Sequence, residues 1–413
     1  MFKTIRNAFK VQELRKKIIY TFMMLVVIRF GSQLPIPGIE TSFFANWFAK
    51  QTTDVFGFFN AMTGGSFSSM SIFALSITPY ITSSIIIQLL TIAIPKLEEL
   101  QKDGEDGRKK IQEYTRYTTV ALALIESSAM AIGFGRQGLL LDYNAWNIII
   151  AIVTMTTGSA LLMWIGEQIT DKGVGNGISI VLLFNILSSV PNDVRSLYYR
   201  FIFGQTVLKA AIAIVLIALV ILAMVVFVIV LNDAERRIPV QYSKKMVGRK
   251  MVGGQASNIP LKINTAGVMP VIFASSIMSF PVVISQFFTV DYNSIGGKIL
   301  MVLNSGSWCR PESPEYSIGL VIYIALLIMF AYFYTSITFN PLEVANNMKK
   351  QGGFIPGIRP GKPTSDYLNQ ILNYIVFIGA VGLMVVAVTP IAFSGLLDVS
   401  QISFAGTSLI IIV

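Results

Sequence analysis

The stretch FFNAMTGGSFSSMSIFALSITPYITSSIIIQLL, Phe58 to Leu90, decides how this sequence is read. It is apolar enough to enter a membrane, yet it carries Gly64, Gly65, Pro79 and a row of hydroxyls. Ile77 and Ile81 stay four residues apart within it and so share one helix face. A span that only has to sit in lipid needs none of these polar or helix-breaking residues. Irregular backbone at membrane depth is tolerated where protein or a water-filled cavity borders it, so this segment faces something other than lipid.

The rest of the chain agrees that a bilayer is its solvent. Of 413 residues, 54% are hydrophobic and 13% charged, with a mean hydropathy of +0.66, too apolar for soluble domains. Lys and Arg number 32 against 22 Asp and Glu. That excess belongs outside the spans, where anionic lipid, ribosomal RNA or an acidic protein face can meet it. Histidine is absent, which removes the commonest metal ligand and proton shuttle. Cys309 is the single cysteine and reads as an inert thiol in an external loop, with no disulfide partner. The amino-terminal basic region and apolar run look superficially like a secretory signal, but LPIPG follows without a small-residue cleavage site. Residues 1–17 are read as an amphipathic interfacial helix, with Phe2, Ile5 and Phe9 on one face, leading into a retained first span.

A crossing helix needs about 20 mainly apolar residues, and hydropathy predicts about ten of them. They centre on 18–33, 72–94, 115–134, 146–166, 176–190, 207–231, 268–289, 317–339, 367–389 and 400–413, the last too short for a full crossing. Lys and Arg collect before the first span and in the 232–266 loop, which makes both cytoplasmic by the positive-inside rule. The spans divide into a first half, 18–190, and a second half, 191–413, with cytoplasmic loops at 232–266 and 341–366. With an odd number of spans in each, two related halves must be inverted with respect to one another. The second span of each half is interrupted, by Gly64, Gly65 and Pro79 in one and by Gly267, Pro270 and Pro281 in the other. Broken spans at matching places point to the functional centre of such proteins.

Catalytic chemistry has little to work with here. A membrane enzyme would gather acids, histidines or a metal cluster, whereas only Arg29 and Glu126 lie clearly inside apolar runs. Arg29 is near the outer end of its span, where snorkelling to the interface is the plain reading. Glu126 stands between a structural and a working role. DKGVGNG, Asp171 to Gly177, lacks the Gly-Lys-Ser/Thr ending of a phosphate loop and reads as a tight connection. The mixed-sign run Lys96 to Lys110 reads as a solvated loop. Ile77 with Ile81, and Ile178 with Leu182, are either packing residues or the lining of a passage. An ion-coupled secondary transporter with inverted repeats is the rival reading, and it would concentrate ionisable groups at the midplane.

Several long motifs, in order, resemble the bacterial SecY family: SIFALSITPYITSSIIIQLL, LMWIGEQITDKGVGNGISI, NTAGVMPVIFASSI, FNPLEVANNMKKQGGFIPGIRPG and GTSLIIIV. The resemblance runs the length of the chain; Glu126, Cys309 and the early end of the tenth span depart from it. It implies an all-α polytopic membrane protein, ten transmembrane helices in two inverted five-helix halves around an hourglass pore. It implies a waist ring of Ile77, Ile81, Ile178, Leu182, Ile272 and Ile411. It implies a plug over 56–66, with Phe56, Phe58, Phe59, Asn60 and Met62, which Gly64 and Gly65 let swing. A lateral gate is implied between Thr82, Ser83 and Gln88 on the second span and Ser275, Ser276 and Phe280 on the seventh.

The same resemblance implies a protein-conducting channel rather than an enzyme, with no cofactor and no metal, in the bacterial cytoplasmic membrane with a cytoplasmic amino terminus. Small SecE and SecG type subunits, the SecA motor ATPase, the ribosome, membrane lipids, and the translocating polypeptide with its signal sequence are the implied partners. Arg249, Lys250, Arg359 and Pro360 match the positions that dock the cytoplasmic partners. From the sequence alone, basic loops of this kind also arise as topology signals.

Overall fold

The computed structural model describes residues 10–40, 60, 63–204, 206–242, 245–247, 250–252, 256–285, 294–311 and 313–397. Along the chain run α1 (Gln12–Gly31), α2 (Thr78–Ala93), α3 (Pro95–Lys102), α4 (Glu105–Phe134), α5 (Ala145–Lys172), α6 (Gly177–Phe201) and α7 (Val207–Asp233). Then come β1 (Glu235–Tyr242), β2 (Lys245–Val247), β3 (Lys250–Val252), β4 (Ala256–Lys262), α8 (Met269–Ser285), α9 (Ile295–Leu303), α10 (Ile318–Thr338), α11 (Pro341–Lys350), β5 (Gly353–Phe354) and α12 (Lys362–Leu397). Helices stand at nine of the expected spans; residues 400–413, with Ile411, lie outside the described residues. The chain divides into two compact units, built mainly of Met1–Arg200 with Ser279–Ser307 and of Phe201–Met278 with Trp308–Leu396.

Length separates these helices into two kinds. Among the described residues, five stretches are long and apolar enough to cross a membrane: those containing α4, α5, α7, α10 and α12. The apolar parts of α6 and α8, Gly177–Pro191 and Met269–Val282, are shorter. At 1.5 Å per residue, the 16 residues of α2 reach about 24 Å, less than the roughly 30 Å hydrocarbon core. α2 starts later than expected because residues 71–77 are folded as turns. Ser76 has φ 52° and Met70 φ 43°, left-handed conformations that a helix cannot contain. Pro79 then falls at the beginning of the helix, where its missing N–H costs nothing, so it starts α2 rather than interrupting it.

Two loops of the sequence reading turn out to be structured. The mixed-sign run 96–110 is helical, with α2 and α3 bent by 108° at Pro95 and α4 beginning after Gly104 at φ 77°. The 232–266 loop is mostly β. β1 pairs antiparallel with β4, Ile238 opposite Ile259, and with β5 through Gln241 and Tyr242. Pro239 is tolerated in this central strand because β5 reaches only its far end, leaving no ladder partner on that side of Pro239. Ile238 and Val240 point inward on the period-2 pattern and join Leu261, Met348, Ile355 and Leu368 in a core of the second unit. α11 is specified locally: Asn340 accepts from the amides of Leu342 and Glu343, Pro341 follows the cap, and Lys349 and Lys350 close the last turn.

In the first unit the core gathers around the stretch that opened the sequence. Phe67, Met70, Ala74 and Leu75 pack with Ile36 and Ile39 from the LPIPG loop, Met130 and Phe134 from α4, and Ala151 and Met155 from α5. Backbone bonds from Ile36 N to Met70 O at 3.1 Å and from Ile72 N to Leu34 O at 2.9 Å tie the two loops together. A Cβ on Gly158 would overlap the carbonyl oxygen of Ile72, so α5 can lie against this turn only with glycine there.

Candidate functional site

The residues around the candidate plug base build themselves from hydroxyls. Asn60 accepts through Oδ1 from the amide of Ser68 at 3.0 Å, and its carbonyl accepts from the amide of Gly65 at 2.9 Å. Thr63 accepts from the amide of Phe67 at 3.1 Å, while Ser68 and Ser69 both donate to the carbonyl of Gly65. Backbone groups that a helix would satisfy internally are thus met by side chains, which is how a non-helical run survives burial. From α6, Asn185 Nδ2 donates to Ser76 Oγ at 3.1 Å, and Ser188 Oγ lies 3.3 Å from the carbonyl of Gly64. Phe56, Phe58, Phe59 and Met62 lie outside the described residues.

Five of the expected ring positions are described. Ile77, Ile81 and Leu182 are buried in the first unit, and Ile178 there is half-buried. Ile77 ends the turns and Ile81 lies in the first turn of α2. α6 carries the other two, starting where Asn176 Oδ1 accepts from the amides of Ile178 and Ser179 at 3.0 and 3.3 Å. The connection between α5 and α6 is only residues 173–176, the tight connection that the DKGVGNG sequence indicated. Ile272 is buried in the second unit, beside Val271 and Phe273 in sequence.

The expected gate residues are described each within its own unit. Thr82 and Gln88 are half-buried on α2. Ser83 is fully buried, and its hydroxyl donates to the carbonyl of Thr115 on α4 at 2.8 Å, bracing two helices of one unit. Ser275 and Ser276 are half-buried, with Ser275 Oγ 3.5 Å from the hydroxyl of Tyr323 on α10. Phe280 is 66% exposed.

The sequence model of the SecY family matches residues 71–413. The SecY protein translocase subunit of Halalkalibacterium halodurans is 43% identical, covering 100% of this chain and 94% of its own, and that of Corynebacterium glutamicum is 41% identical, covering 99% and 94%. The chain belongs to the SecY family. The SecY fold is matched as well: a protein-conducting channel structure aligns with a TM-score of 0.62 at 17% identity, over 96% of this chain and 89% of its own. Sec61 from a canine ribosome-channel complex aligns at 0.59 and 16% identity, with the same coverages. The motifs quoted from the sequence thus identified the SecY family correctly, and the relatives favour a channel over the ion-coupled transporter. As a SecY-family chain with these long apolar helices, it is a membrane protein.

Within this SecY frame, the charged groups behave differently from one another. Arg29 is half-buried, and its Nη1 donates to the carbonyl of Gly64 at 3.2 Å. Glu126 is half-buried beside Ser127, whose hydroxyl pairs with that of Thr156 on α5 at 2.9 Å. Sequence reading passed over Arg116 and Glu167, which form an ion pair at 2.8 Å between α4 and α5, with Gln112 donating to the same carboxylate oxygen at 3.1 Å. Only the unusual acid in the GEQITD run hinted at it. Arg359 and Pro360 are exposed in the turn before α12, where the Arg359 carbonyl accepts from Thr364 at 2.8 Å. Lys250 begins β3, and Arg249 lies outside the described residues. Cys309 takes φ 57°, and burial pushes its thiol pKa up, which disfavours the reactive thiolate.

Proposed function

We propose that this chain is the channel subunit of a bacterial translocase, passing unfolded secretory polypeptides across the cytoplasmic membrane and releasing apolar segments sideways into lipid. One observation carries the reading: membership of the SecY family through the segments that hold Ile77, Ile81, Ile178, Leu182 and Ile272. A narrow waist of aliphatic side chains excludes ions because it offers them no replacement for water, and it gives a sliding chain no hydrogen bonds to stick to. Thr82 and Gln88 facing Ser275, Ser276 and Phe280 would make a weak lateral seam, since polar contacts between membrane helices average about 0.6 kcal/mol. Partition then sorts cargo: on the translocon insertion scale a central Leu or Ile contributes about −0.3 to −0.6 kcal/mol, and Lys or Asp costs about 2.5 to 3.5.

The chain performs no chemistry of its own in this proposal and takes no cofactor. Energy comes from a SecA-type motor or the ribosome, docked on Arg249, Lys250, Arg359 and Pro360, with the amino terminus on the same cytoplasmic side. Arginine suits such docking because its planar fork pairs bidentately with carboxylate or phosphate. Small SecE and SecG type subunits complete the assembly. To test the passage, cysteines are placed at Ile81, Ile272 and the exposed Leu222, and a secretory chain is trapped in reconstituted vesicles. Crosslinks to the first two are expected; crosslinks confined to Leu222 would contradict the assignment.

A further inference from the structure

We propose that Tyr323 is a positioning residue for lateral release: through Ser275 it holds α8 against α10 and so raises the hydrophobicity a segment needs before it leaves for lipid. This rests on the proposed function, in which α8 is one side of the lateral gate, and adds to it the residue that restrains that side. Residues 269–278 of α8 and the whole of α10 belong to the second unit. There α10 grips α8 at two levels. Near the start of α8, Phe273 meets Phe330 edge-on with ring centroids 5.4 Å apart, and Tyr334 at 6.3 Å. Farther along, the hydroxyls of Tyr323 and Ser275 lie 3.5 Å from each other.

The two levels respond differently to movement. Rings in edge-to-face contact stay attractive over centroid distances of about 4.5–7 Å, so the Phe273 cluster tolerates a small slide. A hydroxyl pair at 3.5 Å is already at the outer limit of a hydrogen bond, and a further shift of well under an ångström ends it. Ending it is unfavourable, because Tyr323 is 3% exposed and its hydroxyl has no other hydrogen-bond partner among the described residues. Departure of Ser275 strands a buried polar group, and α8 is drawn back.

Tyr323 is held so that it does not follow α8. Its ring packs on Trp308, centroids 5.6 Å apart, and Trp308 is fully buried. The next residue, Cys309, is fixed in turn by its amide, which donates to Ser317 Oγ at 3.1 Å just before α10 begins. The ring is thus clamped on the side of the 304–317 connection while its hydroxyl reaches α8. A phenylalanine would pack on Trp308 equally well, so the buried hydroxyl itself asks for a task. Ser276, half-buried beside Ser275, has no such tie to α10 among the described residues.

The test is the number of leucines a graded Leu/Ala segment needs for half-maximal lateral release from the intact translocase. Tyr323→Phe is expected to lower it by about one, since one interhelical polar contact and one central leucine are of similar worth in a membrane. Ser275→Ala should lower it equally, and the double variant no further, because all three remove the same bond. A merely structural tyrosine would lower the thermal midpoint in detergent and leave the threshold where it was, and that result overturns the proposal. Thr82→Leu separates the two readings. If it moves the threshold while Tyr323→Phe does not, the positioning role is wrong and the gate stands; if neither moves it, the gate reading fails and the positioning role fails with it. Should Tyr323→Phe not accumulate, Ser275→Ala is compared with Ser276→Ala: a lowered threshold in Ser275→Ala alone supports the proposal, and any other pattern overturns it.

Discussion

The amide of Ile81 donates to the carbonyl of Ile77 at 3.1 Å, and that bond opens α2. Ile77 itself stands outside the helix, with φ −93° and ψ 4°, at the end of the turns that Asn185 pins through Ser76. Two ring candidates one turn apart are thus held by different means, one by tertiary contacts and one by the helix.

Polar replacement at these two positions should wet the waist. We predict that Ile81→Asn, and separately Ile77→Asn, raise idle conductance several-fold while the protein still accumulates in the membrane, because a dewetted constriction depends on having no hydrogen-bonding groups. Single-channel recording decides this; unchanged conductance in both variants would remove these residues from the pore.

Ser83 and Thr82 should part company. The Thr115 carbonyl that accepts from Ser83 also accepts from Thr119 Oγ1 at 2.6 Å, so Ser83→Ala leaves it satisfied and costs about 0.5–1.5 kcal/mol of stability. It should leave the hydrophobicity threshold for lateral release alone, whereas Thr82→Leu should move it. A graded Leu/Ala segment in an insertion assay reads the threshold. An equal displacement in both variants would put Ser83 back on the seam.

Gly158 should resist the smallest enlargement. In Gly158→Ala the added methyl meets backbone, the Ile72 carbonyl, which cannot swing aside as a side chain would. Overpacking of this kind costs about 1–3 kcal/mol. A lowered thermal midpoint in detergent is expected, and an unaltered midpoint would show that α5 does not rest on the 71–77 turns.

The ion pair of Arg116 and Glu167 should be measurable but modest. The carboxylate side chain is 11% exposed and the guanidinium side chain 44%, so solvent screens the pair. A double-mutant cycle with Arg116→Gln and Glu167→Gln should return a coupling of about 0.5–1 kcal/mol that shrinks as salt rises. A zero coupling at low salt would reduce the pair to a surface coincidence.

Much of this was legible before the fold. The unbroken apolar runs of α7 and α10 announce membrane helices because hydropathy is a local sum over a window, and no distant residue can reverse it. The family motifs were legible for a related reason, since an ordered series of long similar segments needs no geometry to be recognised. The turns at 63–76 were only half legible: Gly64 and Gly65 marked a break, but nothing local indicated that Ser76 would turn left-handed and delay α2 to Thr78.

The rest was decided by packing across sequence distance. Nothing local in the sequence says that Arg29 finds its acceptor at Gly64, 35 residues later, or that Ser83 finds its own at Thr115. The 232–266 segment reads as a basic loop because its inward residues, Ile238 and Val240, find their core only with Met348 and Leu368 from beyond α10. Composition and order fix which segments leave water, since transfer from water is a property of each segment alone. Which polar group satisfies which depends on the neighbours that the folded chain brings within hydrogen-bonding reach, and that pairing exists only in three dimensions.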